Sequence, residues 1–129
     1  MASNPFFTEE ILKYMFTASA MATRPSAWYV ALHTGDPGTG ADNELADANY
    51  VRQVGAFEVV PDGSTHISRN TADLVFPALA AGATVAWVTV KTASTAGTHI
   101  KSVQLPVPKT YTAGQVPRIP AQELIFEGV

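Results

Sequence analysis

Trp28 to His33 limits the possible folds more than any other stretch of the chain. Trp28, Val30 and Leu32 alternate with Tyr29, Ala31 and His33, so in an extended chain each set lies on its own face. Nearly all six positions are apolar, which predicts a strand covered on both sides rather than one facing water. Gly35-Asp36-Pro37-Gly38 then ends it, because glycine permits φ > 0 and proline cannot donate to a ladder. Extended structure restarts at Tyr50-Val51-Arg52-Gln53-Val54, after a short polar stretch in which Asn43-Glu44-Leu45-Ala46 is expected to make one helical turn.

Downstream, β signals dominate. Residues 51–60 read as a strand interrupted by Gly55, a candidate bulge. Pro61-Asp62-Gly63 is a turn, Thr65 to Arg69 a short strand, and Leu74-Val75-Phe76 another that Pro77 stops. Thr84 to Thr92 is the second strong strand, with Val85, Trp87 and Thr89 on one face and Ala86, Val88 and Val90 on the other. His99 to Val107 and Leu124 to Phe126 complete the set, while Pro106, Pro108, Pro117 and Pro120 mark edges and extended loops. Upstream, Asn4-Pro5 and Thr8 are two possible helix openings. The apolar spacing of Ile11, Leu12, Met15 and Phe16 places one helix at residues 8–21, behind an arm of residues 1–7. Its apolar stripe is expected to close one end of the β core. Roughly seven or eight strands at turn-punctuated spacing predict an antiparallel, jelly-roll-like β-sandwich with one N-terminal helix, in a single domain spanning 1–129.

Only 15% of the 129 residues are charged, against roughly 25% in an average soluble domain. So little charge leaves either a large core or an apolar surface that meets a partner. The 8 basic and 11 acidic residues are scattered, with no Lys/Arg cluster to bind nucleic acid. Cysteine is absent, and no apolar run approaches the length of a membrane span.

No stretch carries a catalytic signature. Gly35 to Gly40 lacks the Lys-Ser/Thr end of a phosphate loop, and no serine sits in a nucleophile elbow. No cofactor is expected. Asp36, Asp42, Glu44 and Asp47 form an acidic stretch, either solvated and capping or an oxygen shell for Ca²⁺, although the spacing is not that of an EF-hand. His33, His66 and His99 fall on three strands and read as separate surface or core-edge histidines. Trp28 and Trp87, on the two best strands, read as core. Arg52 and Arg69 each interrupt an apolar segment, and either locks a loop internally or pairs across an interface. The candidate partner-contact residues are Phe6, Phe7, Arg52, Arg69, Pro106 and Pro108.

Tyr29 to Thr34, Gly35 to Gly38, Asn43 to Leu45 and Tyr50 with Arg52-Gln53 also carry a resemblance, continued by Asn70-Thr71-Ala72 and Val75 to Ala78. In these motifs the chain resembles a family of small bacteriophage virion proteins labelled tail-fibre or minor tail proteins, and similar β-domains that serve as capsid decoration (cement) proteins. The likeness spans the chain to about Ala78 and thins after Trp87. It implies a non-enzymatic virion protein made in the host cytoplasm, with capsid decoration as the first expectation and a tail or tail-fibre role as the second. It further implies a homotrimer whose partners are the major capsid protein or tail proteins. A carbohydrate-binding jelly-roll module is a third class on a similar scaffold.

Overall fold

The computed structural model describes residues 5–18 and 27–127. Among the described residues one helix, α1 (Pro5–Phe16), precedes nine strands: β1 (Trp28–His33), β2 (Gln53–Gly55), β3 (Phe57–Asp62), β4 (Thr65–Asn70), β5 (Leu74–Val75), β6 (Ala83–Lys91), β7 (His99–Tyr111), β8 (Arg118–Ile119) and β9 (Ile125–Glu127). The strands form sheets in the orders β2-β1-β6-β7, β3-β4-β9 and β5-β8. Every pairing is antiparallel. The expected mainly-β, antiparallel architecture with one helix therefore holds. Among the described residues the sheets hold four, three and two strands, an arrangement consistent with a β-sandwich that does not by itself identify a jelly roll.

The helix opens at the earlier of its two candidate starts, because Pro5 already has the φ a first helical residue needs. Residues 5–7 of the expected arm are thus helical, the helix ends at Phe16, and residues 19–21 of the expected span lie outside the described residues. Glu9 and Glu10 fall past the first turn, where Glu9 reaches Lys13 at 2.9 Å in an i,i+4 pair. Although α1 packs against β7, Leu12, Met15 and Phe16 are exposed, Phe16 at 79%, so the stripe does not seal the β core as expected.

Gly55 is a crossing point rather than a bulge within one strand. β2 ends there in the sheet of β1, and β3 begins two residues later in the sheet of β4. A Cβ on Gly55 would lie 3.0 Å from Phe57 and 3.1 Å from Val30, so a larger residue at the crossing would have to shift those side chains by a few tenths of an ångström. The β3–β4 turn has the expected chemistry: Asp62 pairs Thr65 across Gly63-Ser64, with Gly63 at φ 62°. The Asn43 region makes no helical turn. Asn43 sits at φ 60°, Glu44 bridges back to His33, and the Leu45 amide donates to the Leu32 carbonyl at 2.9 Å.

The core joins Val30 and Leu32 of β1 to Val85, Val88 and Val90 of β6, with Leu45, Leu74, Phe76, Leu79, Leu124 and Phe126. Val85 shares this side with Val88, against strict alternation, because the β6–β7 register breaks between Val85 and Trp87. There β7 residues 105–108 stand opposite Ala86 alone, so Pro106 and Pro108 occupy positions where no ladder needs their missing N–H. Trp28 packs against the core as expected, whereas Trp87 is half-buried on the other face.

Phe76 is 2% exposed and stacks on Tyr50 with ring centroids 6.3 Å apart. Phe76→Ala should therefore cost about 3–5 kcal/mol of stability. Urea unfolding should show a lower midpoint with an unchanged slope.

Candidate functional site

Because β1 is central, its outer face (Ala31 and His33) needs a cover as much as its core face does. Residues 35–45 supply it. Beneath them lie His33 and Thr89 at 0% exposure, Lys91 at 3% and His99 at 7%. The buried outer face is polar, unlike the aliphatic core on the other side of the sheet.

Each side chain beneath the strap is turned toward a defined partner. His33 Nδ1 lies 2.8 Å from the Asp42 carbonyl, which can only accept, so Nδ1 carries the proton and Nε2 accepts from the Thr89 hydroxyl at 2.8 Å. The Lys91 ammonium donates to the Gly40 carbonyl. The His99 ring packs so tightly under Gly40 that a Cβ there would come within 2.3 Å of it. Gly40 has φ 120°, a second reason for glycine at this position. His99 Nε2 lies 3.0 Å from the Ser102 hydroxyl, and Nδ1 has no hydrogen-bond partner.

Arg52 locks the far end. Its Nε and Nη2 make a bidentate pair with Glu44 at 2.8 Å each, and its Nη1 donates to the Ala93 and Ala96 carbonyls at 2.9 Å each. Tyr50 donates its hydroxyl proton to Glu44 at 2.7 Å and accepts from the Leu32 amide at 3.1 Å. Burial pushes the Glu44 carboxyl up, but the hydrogen bonds from Arg52 and Tyr50 outweigh it and hold Glu44 below the ordinary range. Burial, with Glu44 adding to it, drives the Tyr50 hydroxyl well above its usual value.

Of the two roles open to Arg52, the internal lock to a loop carboxylate is the one its guanidinium fills. Arg69 likewise pairs within the chain, reaching Glu58 on the neighbouring strand at 2.7 Å. Pro106 and Pro108 are exposed in the β7 register break. Phe6 and Phe7 belong to α1 by backbone, and their side chains lie outside the described residues.

The acidic stretch is divided among separate tasks. Asp36 caps the Gly38 amide at 2.8 Å, Glu44 holds Arg52, and Asp47 accepts from the Ala80 and Ala81 amides at 2.9 Å each. Among the described residues no three His, Cys, Asp or Glu side chains converge as a metal site. No helix among them is long and apolar enough to cross a membrane.

His33 and His99, expected to be separate, are both buried under one strap, while His66 is exposed on the β3–β4 hairpin. Sequence reasoning also missed Lys91 and Thr89. Their signal was partial: Thr89 and Lys91 share Trp87's face of an otherwise apolar strand, but that this face adjoins His33 follows only from the pairing of β1 with β6.

The clamp predicts unequal costs for two ion pairs. Arg52 and Glu44 side chains are 8% and 24% exposed, so Arg52→Ala leaves a partly buried carboxylate unpaired and should lose about 3 kcal/mol or more. Arg69→Ala breaks a pair exposed at 30% and 37% and should lose less than about 1 kcal/mol. Chemical denaturation of the two variants side by side checks the order.

No curated protein matches the chain closely enough to count as a relative. A family described as podophage GP4 fiber I protein gp80 matches residues 2–127, nearly the whole chain and well beyond the motifs that carry the resemblance as far as Ala78. The chain belongs to this phage fibre protein family, and so to the structural proteins of the phage virion.

Proposed function

We propose that the protein is a non-catalytic structural subunit of a phage fibre assembly, built as a rigid β module that docks onto other virion proteins. The observation that carries this reading is the family match over residues 2–127 to a protein described as a fibre component. The polar network supports it, since its buried charged groups are spent on holding loops to the sheet rather than lining an open cleft. The surface supports it as well: Phe16, Val107 and Val59 are 79%, 73% and 71% exposed on a chain with few charges. Apolar side chains in that position suit contacts with other copies or with neighbouring virion subunits. We take the assembly to be a homotrimer formed in the host cytoplasm, with the exposed proline pair Pro106 and Pro108 and helix α1 as contact elements.

A second reading, capsid decoration, is favoured by one feature. The chain has no internal repeat of the kind a fibre shaft is built from, and a single β module is also the form a cement protein takes. In that role several modest contacts to shell subunits would add up to tight attachment.

Cryo-electron microscopy of purified virions separates the two. A small number of copies at the tail or fibre base is the expected result. Copies by the hundred over the shell would replace the fibre reading with capsid decoration, and absence from the particle would overturn both. Light scattering of the recombinant protein should give three times the monomer mass of 13.7 kDa, and a monomer at all concentrations would remove the trimer.

A further inference from the structure

We propose that residues 35–45 form an acid-releasable strap, held closed while the rings of His33 and His99 are uncharged and let go when they take up protons. The strap closes over the outer face of the four-stranded sheet by a few bonds. The Thr34 amide donates to the Asn43 carbonyl at 2.9 Å, the Leu45 amide to the Leu32 carbonyl at 2.9 Å, and His33 and Lys91 hold the Asp42 and Gly40 carbonyls from below. Gly40 lies directly on the His99 ring. Opening the strap would give both rings access to water.

The electrostatics under the strap favour uncharged rings. Lys91 on β6 pairs in register with His99 on β7, which brings a cation beside the ring. Arg52 brings a second cation, and the carboxylate facing this site, Glu44 of the strap itself, is already engaged by Arg52 on two oxygens. Asp42 presents its carbonyl to His33, and its carboxylate lies beside Gly38 on the exposed side. Protonated His99 would carry a donor at Nδ1 for which the closed strap supplies no acceptor.

Burial, then the Lys91 and His33 charges, lowers the His99 pKa to about 4. Burial likewise lowers His33, only partly offset by its bond to Asp42 and by Glu44. For a base with a folded pKa below its free value, the open form binds more protons. Closure is therefore complete above the ordinary histidine range near 6.5 and is lost as pH falls toward 4, about tenfold per pH unit for each proton taken up on opening. Glu44, held against its burial below the ordinary glutamate range by Arg52 and Tyr50, stays paired over this range, so its end of the strap is the hinge about which residues 35–43 let go.

Hydrogen exchange of the full chain at about pH 7.5 and pH 5, corrected for the pH dependence of intrinsic exchange, tests this. Protection of the Thr34, Gly40 and Asp42 amides should fall at least tenfold at the lower pH, while the Leu45 amide at the clamped end and the β3–β4 hairpin amides hold. His66→Gln should leave the effect in place. His99→Leu should reduce it, and Gly40→Ala, which cannot close over the ring, should show the open pattern already at pH 7.5. Equal strap protection at both pH values, or a loss spread evenly over all strands, overturns the proposal. If His99→Leu does not fold, an NMR titration of the native histidines decides: His99 protonating below about pH 5.5 supports the strap, and above about 6 it overturns it.

Discussion

The structure depends on one strand being covered on both faces. β1 pairs β6 along one side and β2 over Trp28 to Val30 on the other, and beyond β2 the Leu32 amide and carbonyl are taken up by Tyr50 and Leu45. Its side chains must then be covered above and below. Below, Val30 and Leu32 meet an aliphatic core. Above, the cover is a loop, and a loop carries backbone carbonyls and amides that cannot be buried unpaired. This is why the outer face holds His33, Thr89 and Lys91 instead of more valine: His33 and Lys91 supply partners to the strap's main chain, and the Thr89 hydroxyl holds the His33 ring in place. The fold uses polar side chains to bury a loop, and the bidentate Arg52–Glu44 pair keeps the loop's end from lifting.

A second constraint concerns the open edges. β7 is the outer strand of the four-stranded sheet, and an unbroken free edge invites pairing with another chain. Pro106 and Pro108 remove two donors from it and coincide with a register break of several residues. The same break turns Val85 into the core and leaves Val107 in solvent. For a virion component this arrangement separates two kinds of contact. The two prolines disfavour ladder growth through this part of β7, and apolar side chains on the break and on α1 are exposed.

Much of this was written in local pattern. The alternation in Trp28 to His33 requires a strand buried on two sides, Gly63 marks the hairpin, and the prolines mark places without a ladder, because each is a property of a few consecutive residues. The phage virion family was likewise legible from short motifs around the strap, the residues that hold β1 covered. Other features were not local. Helix spacing in Ile11 to Phe16 suggested a buried stripe, yet burial depends on what lies opposite, and Leu12, Met15 and Phe16 meet solvent.

The sequence by itself determined most of the strands, the β3–β4 turn, the mainly-β class and the kinship with phage virion proteins. Only the tertiary structure decided that Gly55 passes the chain from one sheet to another. Pairing alone also brought His33 and His99, 66 positions apart in the chain, under one loop with Lys91 between them. The physical reason is range: alternation and turn chemistry act over a few residues, whereas burial, pairing register and the field around a titrating ring are set by chain segments that become neighbours only on folding.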